Sequence, residues 1–130
     1  MRRRTSLTVL AAGGCLTALL AGCSSAAEPD VGKVAAEFEN PTVDPAARCD
    51  LLAPATREAF EQSAPCTDAV GQLAFQGGNV HAVQVWGGGA QAKVGGDTVF
   101  LTETKDGWKV TAALCQPRGE APYDCEVDGP

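Results

Sequence analysis

Three hydrophobic patterns follow one another along the chain. Leu7 to Leu20 is an apolar run with small residues and no charge. Apolar residues then recur at helical spacing, with Val31, Val34, Ala35 and Phe38 at i, i+3, i+4 and i+7 on one helix face. Beyond Gly77-Gly78-Asn79, short runs rich in Val, Thr, Phe and Trp alternate with turn residues, the pattern of strands.

Within the helical half, Asp30 is a good N-cap for the first helix and Asn40-Pro41 stops it. Asp44-Pro45 restarts a helix, with Asp as cap and Pro at the first helical position, carrying Cys49, Leu51 and Leu52. Pro54 opens a third that runs through Arg57 and Phe60 to about Ser63. Ala64-Pro65 breaks it, and Thr67 is placed to cap a last short helix over Ala69, Val70 and Leu73. The strand half predicts Val80–Trp86, Ala90–Val94, Val99–Thr104 and Trp108–Cys115. Asp106-Gly107 is the sharpest turn signal, since two-residue hairpin turns need positive φ, which Asp and Gly tolerate. Short connections imply antiparallel neighbours. The expectation is an α+β domain, N-terminal helices packed on a four-stranded antiparallel meander sheet, with an irregular tail after Cys115.

The apolar run has its own meaning. Arg2-Arg3-Arg4 precedes it and the small pair Ala21-Gly22 follows it, the layout of an export signal. At about 14 residues it is short of the ~20 that a spanning helix needs. Leu20-Ala21-Gly22-Cys23 resembles the bacterial lipobox, which implies cleavage before Cys23 and acyl chains on its sulfur. An ordinary signal peptide or a short anchor helix, its cysteine incidental, is the alternative. The expected organisation is a signal peptide over 1–22, a linker over 23–29 and one domain over 30–130. The partner implied is the membrane, reached through the Cys23 anchor on its extracytoplasmic face.

Loss of Arg2, Arg3 and Arg4 with the signal leaves seven basic against 16 acidic residues, a formal charge of −9. Nucleic-acid binding needs a basic patch to neutralise phosphates, so that partner class is set aside. Cys15 leaves with the signal, and four cysteines remain for the domain. An even number in a small exported domain predicts two disulfides. Of three possible pairings, Cys49–Cys66 and Cys115–Cys125 are favoured because each lies within one structural half. No C-x-x-C occurs and one histidine cannot complete a common zinc set, so neither metal nor cofactor is expected.

Val34-Ala35-Ala36-Glu37-Phe38, the segment from Leu51 to Arg57, and the strand Asp106-Gly107-Trp108-Lys109-Val110 resemble the NTF2-like, cystatin-like group, in which an opening amphipathic helix precedes a sheet with a G-W-x-V strand. Cys115-Gln116-Pro117 with Pro122-Tyr123-Asp124-Cys125 resembles small lipoproteins of high-GC Gram-positive bacteria. The resemblance implies a curved sheet wrapping helices around a pocket. Its relatives include isomerases, dehydratases and binding modules, so fold does not select the function.

Candidate chemistry is sparse. His81 is the only histidine, and the two-residue strand period puts it on one face with Val83 and Val85. His81, Trp86 and Trp108 are the residues expected to line a pocket, if there is one. Gly87-Gly88-Gly89 and Gly95-Gly96 lie between strands and lack a G-K-[ST] ending, so they read as hairpin turns rather than phosphate loops. Glu120, Asp124, Glu126 and Asp128 lack the spacing of a calcium loop. The expected function is a membrane-anchored, non-enzymatic module that binds an envelope protein or a small apolar ligand. The alternative is a small-molecule enzyme, isomerase- or dehydratase-like, with His81 as base.

Overall fold

The structure, a computed structural model, describes residues 22–130, without the side chains of residues 22–25 and of Ala121. The signal segment and the acyl attachment at Cys23 therefore lie outside the described residues. Among the described residues, four helices precede five strands: α1 (Gly22–Glu39), α2 (Pro45–Asp50), α3 (Pro54–Glu61), α4 (Cys66–Gly71), β1 (Val80–Trp86), β2 (Gly89–Val94), β3 (Asp97–Thr104), β4 (Gly107–Arg118) and β5 (Ala121–Asp128). All neighbouring strands are antiparallel, in the order β1-β2-β3-β4-β5, so the sheet is an open meander.

The expected meander is present with one strand more than the sequence pattern predicts. The stretch after Cys115 is not an irregular tail. β4 continues to Arg118 and turns through Gly119, at φ +65°, into β5. Pro117 and Gly119 disguise this hairpin as a loop. Pro117 is tolerated because the register shifts between Gln116 and Arg118, and Pro122 because β5 is the sheet edge, where no ladder donor is required. The β3–β4 turn also differs in detail. Its two turn residues are Lys105 and Asp106, and Gly107 follows at φ +98° as the first residue of β4. The Thr104 hydroxyl closes this turn by accepting from the Asp106 N–H (3.1 Å) and donating to the Gly107 carbonyl (2.8 Å).

Two helix starts move as well. Asp30 does not cap α1, which begins at Gly22 and runs through Pro29, so residues 23–29 are helical rather than a linker. Ala26, Ala27 and Glu28 favour helix, and Ala27 packs against the core, which offsets the helix bond that Pro29 cannot donate. At α4 the cap position is Pro65 rather than Thr67, and the helix starts at Cys66. α2 forms as its residues predict, with Asp44 accepting from the Ala46 N–H at 2.8 Å and Pro45 at the first position.

α1 lies across the sheet. Its stripe of Val31, Ala35 and Phe38 is fully buried in one core with Ala92, Val94, Val99, Leu101 and Val110 from the strands and Leu52, Val70 and Phe75 from the helical half. α1 crosses β1 at Gly32, where an added Cβ would meet Val80 and Val83 in ordinary contact at 3.6 and 3.7 Å. Leu51-Leu52-Ala53 joins the sheet alongside β4, with Ala53 N–H donating to the Val110 carbonyl and Val110 N–H to the Leu51 carbonyl, both at 2.8 Å. The opposite sheet face carries a smaller cluster, Phe100 edge-on to Tyr123 with centroids 5.2 Å apart.

Both expected disulfides are present. Cys49–Cys66 joins α2 to the start of α4, and Cys115–Cys125 links directly paired residues of β4 and β5. Replacing Cys49 and Cys66 together by alanine is expected to lower the unfolding free energy by about 3 kcal/mol, from the restored loop entropy of the unfolded chain. Urea denaturation of this double variant beside the wild type measures it; a loss below about 1 kcal/mol would show that packing alone holds α2 against α4.

Candidate functional site

The end of α1 gathers the least ordinary side chains of the domain. Glu39 is the last residue of the helix and follows Phe38 on the buried stripe, at i+8 from Val31. Its surface is 0% exposed, and among the described residues neither carboxylate oxygen has a well-formed hydrogen bond, the Leu114 amide being the donor that approaches it. Burial above all, and then the nearby Asp97 carboxylate, push this carboxyl from 4.5 up to about 7; the Leu114 amide and the Arg48 guanidinium pull it the other way. A carboxyl of that affinity is half protonated near neutrality, the range in which a group gains or loses a proton readily.

Arg48 of α2 stands beside it, only 4% exposed. Its Nε donates to the Phe38 carbonyl at 2.8 Å and its Nη2 to the Asn40 carbonyl. These are acceptors that a helix end leaves without intrahelical donors. The guanidinium also lies 3.7 Å from the Phe75 ring centroid, and Phe75 meets Phe38 edge-on at 5.5 Å. Burial lowers the Arg48 pKa and Glu39 raises it, but a guanidinium stays charged throughout. With Nε and Nη2 spent on carbonyls, Arg48 forms no ion pair with Glu39 among the described residues. The carboxyl is left as a buried acid beside a buried cation.

The sheet contributes strain at the same corner. Ala113 and Leu114 bulge opposite Val99, between the Thr98–Cys115 and Phe100–Ala112 pairs. Leu114 takes φ +53°, the only non-glycine positive φ among the described residues. A buried leucine in that region costs on the order of 1 kcal/mol or more.

A cleft of about 350 Å³ opens over Arg48, walled by Pro41, Val43, Pro45, Leu73 and Phe75. Glu39 does not line it, so the acid cannot touch a molecule held there. A larger surface recess of about 520 Å³ lies between α3 and α4. Its Arg57 is engaged with Asp50 at 3.1 Å and Glu61 at 2.9 Å in exposed ion pairs, which leaves no buried polar group to orient a ligand.

The structure does not bring His81, Trp86 and Trp108 together. His81 does not share a face with Val83 and Val85: the register shifts between Val80 and Ala82, so Val80, Val83 and Val85 pack on the core while His81 is turned out. Its Nε2 lies 2.9 Å from the Gly95 carbonyl, and no carboxylate bonds to it among the described residues. Trp108 is a core residue, 8% exposed, and Trp86 stands open at the tip of β1. No group of three metal-binding side chains occurs among the described residues, and no described helix is long and apolar enough to cross a membrane. Sequence reasoning overlooked Glu39 and Arg48. The signal for Glu39 was a carboxylate in step with Val31, Ala35 and Phe38; for Arg48 there was none, because its partners are backbone carbonyls eight and ten residues away.

Compared with known proteins, the chain matches no family model, no curated protein and no solved structure.

Glu39 makes stability depend on pH in a defined direction. The folded carboxyl holds its proton more tightly than the unfolded one, so its favourable contribution is complete below pH 4.5 and is lost as pH rises through about 7. The full span is about 3 kcal/mol. Glu39→Gln is therefore expected to match the wild type at pH 4 and to exceed it by up to about 3 kcal/mol at pH 8. Urea denaturation at the two pH values reads the difference; an equal effect at both would show that Glu39 titrates as an ordinary surface glutamate.

Proposed function

We propose that the protein is an extracytoplasmic lipoprotein, tethered by acyl chains on Cys23, whose domain is a non-enzymatic binding module. The observation that carries this reading is that all four cysteines after Cys23 are consumed in two disulfides. Disulfides of this kind belong to oxidising compartments, and the Met1–Cys23 layout addresses the chain to one. The lipid then accounts for how a domain of charge −9 stays at a surface that repels it.

We read the fold as a small NTF2-like, cystatin-like one, and α1 lying across an antiparallel meander supports that reading. The cleft over Arg48 supports a small ligand as the binding partner. Its volume is within the range of small-molecule sites, and Pro41, Val43, Pro45, Leu73 and Phe75 wall it around an Arg48 that is itself buried and bonded to carbonyls. His81, exposed and paired with a carbonyl, gives no matching support to an enzymatic role.

Fractionation of bacterial cells producing the full chain tests the anchor. The protein is expected in the membrane fraction with a mature N-terminus at Cys23 whose mass includes acyl chains, and Cys23→Ala is expected in the soluble fraction. A membrane-held Cys23→Ala form, or an unmodified Cys23, would overturn the reading.

A further inference from the structure

Trp86 is the one large apolar side chain that the described domain leaves open, with 53% of its surface exposed. It ends β1 just before the Gly87-Gly88 turn, and Gly89 lies under the indole: a Cβ there would come within 2.9 Å of Nε1. The tip is not a loose flap. The Gly88 carbonyl accepts from the Glu103 N–H at 2.8 Å and from the Thr102 hydroxyl at 3.2 Å, which ties the hairpin end to β3. From Val85 to Ala90 the chain carries no charge.

The run of α1 decides which end of the domain this tip occupies. α1 crosses β1 at Gly32, over Val80 and Val83. Its C-terminal residue, Glu39, lies by Gly77 and Asp97, at the end of the sheet where β1 begins. Its N-terminal half therefore points toward the end where β1 finishes. Asp30 and Lys33, with Val34 and Glu37 further along the helix, line a recess shared with Asp106 and Gly107 of the β3–β4 turn, which lies at that same end of the sheet. Cys23 is nine residues before Gly32, roughly 14 Å along the helix, and Trp86 is three residues beyond Val83, roughly 10 Å along the strand. The start of α1, which carries Cys23, and the open indole thus lie toward one end of the domain.

We propose that Trp86 is a second membrane contact, its indole seated in the headgroup–acyl boundary of the bilayer beside the Cys23 anchor, so that the domain is held in one orientation. This rests on the anchor reading above. Indole rings favour that boundary because an apolar body and an N–H donor are both satisfied there. The Val85–Ala90 segment itself brings no ion into it, with exposed Glu103 standing beside the turn. The rest of an acidic domain is repelled by anionic headgroups, so a neutral tip is the surface best suited to approach. An indole at the anchor end also gives the helix-borne Cys23 anchor a second point of attachment, which presents the opposite end, with the cleft over Arg48, away from the bilayer.

The test uses the full-length protein, purified from membranes after processing and reconstituted in phosphatidylcholine vesicles with bromine atoms on the acyl chains near the headgroups. The chain has two tryptophans, and Trp108 is buried, so contact by Trp86 is expected to remove roughly half of the emission relative to bromine-free vesicles. Trp86→Phe, at an exposed position, is expected to leave a residual emission that bromine does not change. Protein that is acylated at Cys23 and vesicle-bound, yet equally bright in both vesicles, would overturn this proposal alone. Protein whose N-terminus carries no acyl chain by mass spectrometry would overturn the anchor reading, and this proposal with it.

Discussion

The Arg48 guanidinium is the interaction on which the arrangement of this domain turns. It closes the C-terminus of α1 by donating to the Phe38 and Asn40 carbonyls, and it lies on the Phe75 ring that packs edge-on against Phe38. One side chain thereby joins α1, α2 and the segment that leads into β1. Its neighbour Cys49 is bonded to Cys66, so the covalent staple between α2 and α4 also holds the guanidinium in place. A buried cation is costly when unpaired, and here hydrogen bonds to carbonyl dipoles and an aromatic face replace its water.

That solution leaves Glu39 without a donor from Arg48. Arg48 lies near enough to act on it through space, but its bonds go to carbonyls, and Asp97 opposes ionisation from the sheet side. Leu114 adds backbone strain close by. Two local costs at one corner mark a place where the packing of α1 on the β3–β4 bulge, rather than local preference, decides the conformation. The carboxyl answers by holding a proton into the neutral range, which makes this corner the pH-sensitive part of the domain.

A division between the two ends of the domain follows from the same geometry. The Arg48 corner and its cleft stand where α1 finishes, while the Trp86 tip stands where α1 starts and where the chain leads back to Cys23. On the proposed reading, ligand binding and membrane attachment would occupy opposite ends of a helix 18 residues long, about 27 Å. The sheet between them is closed on one face by helices and paired without crossovers, a scaffold stiff enough to keep the ends apart.

Local chemistry was enough to determine much of this protein. Val31, Ala35 and Phe38 announce the buried face of α1, Asp44-Pro45 the start of α2, and the glycine-bearing turns the first four strands, because each signal lies within a few residues of what it specifies. The disulfide pairs were legible for a similar reason, each lying within one structural half. Tertiary structure decided the rest. β5 forms because β4 offers it an edge, although Pro117, Gly119 and Pro122 argue locally for a loop. The helix continues through Pro29 because Ala27 has a core to pack on. The His81 bulge turns out a side chain that strict alternation would place with Val83 and Val85. Arg48 finds its acceptors and Glu39 loses its water only when α1, α2 and the β3–β4 bulge meet. Burial and a neighbour's charge are properties of that meeting, and no periodicity along the chain contains them.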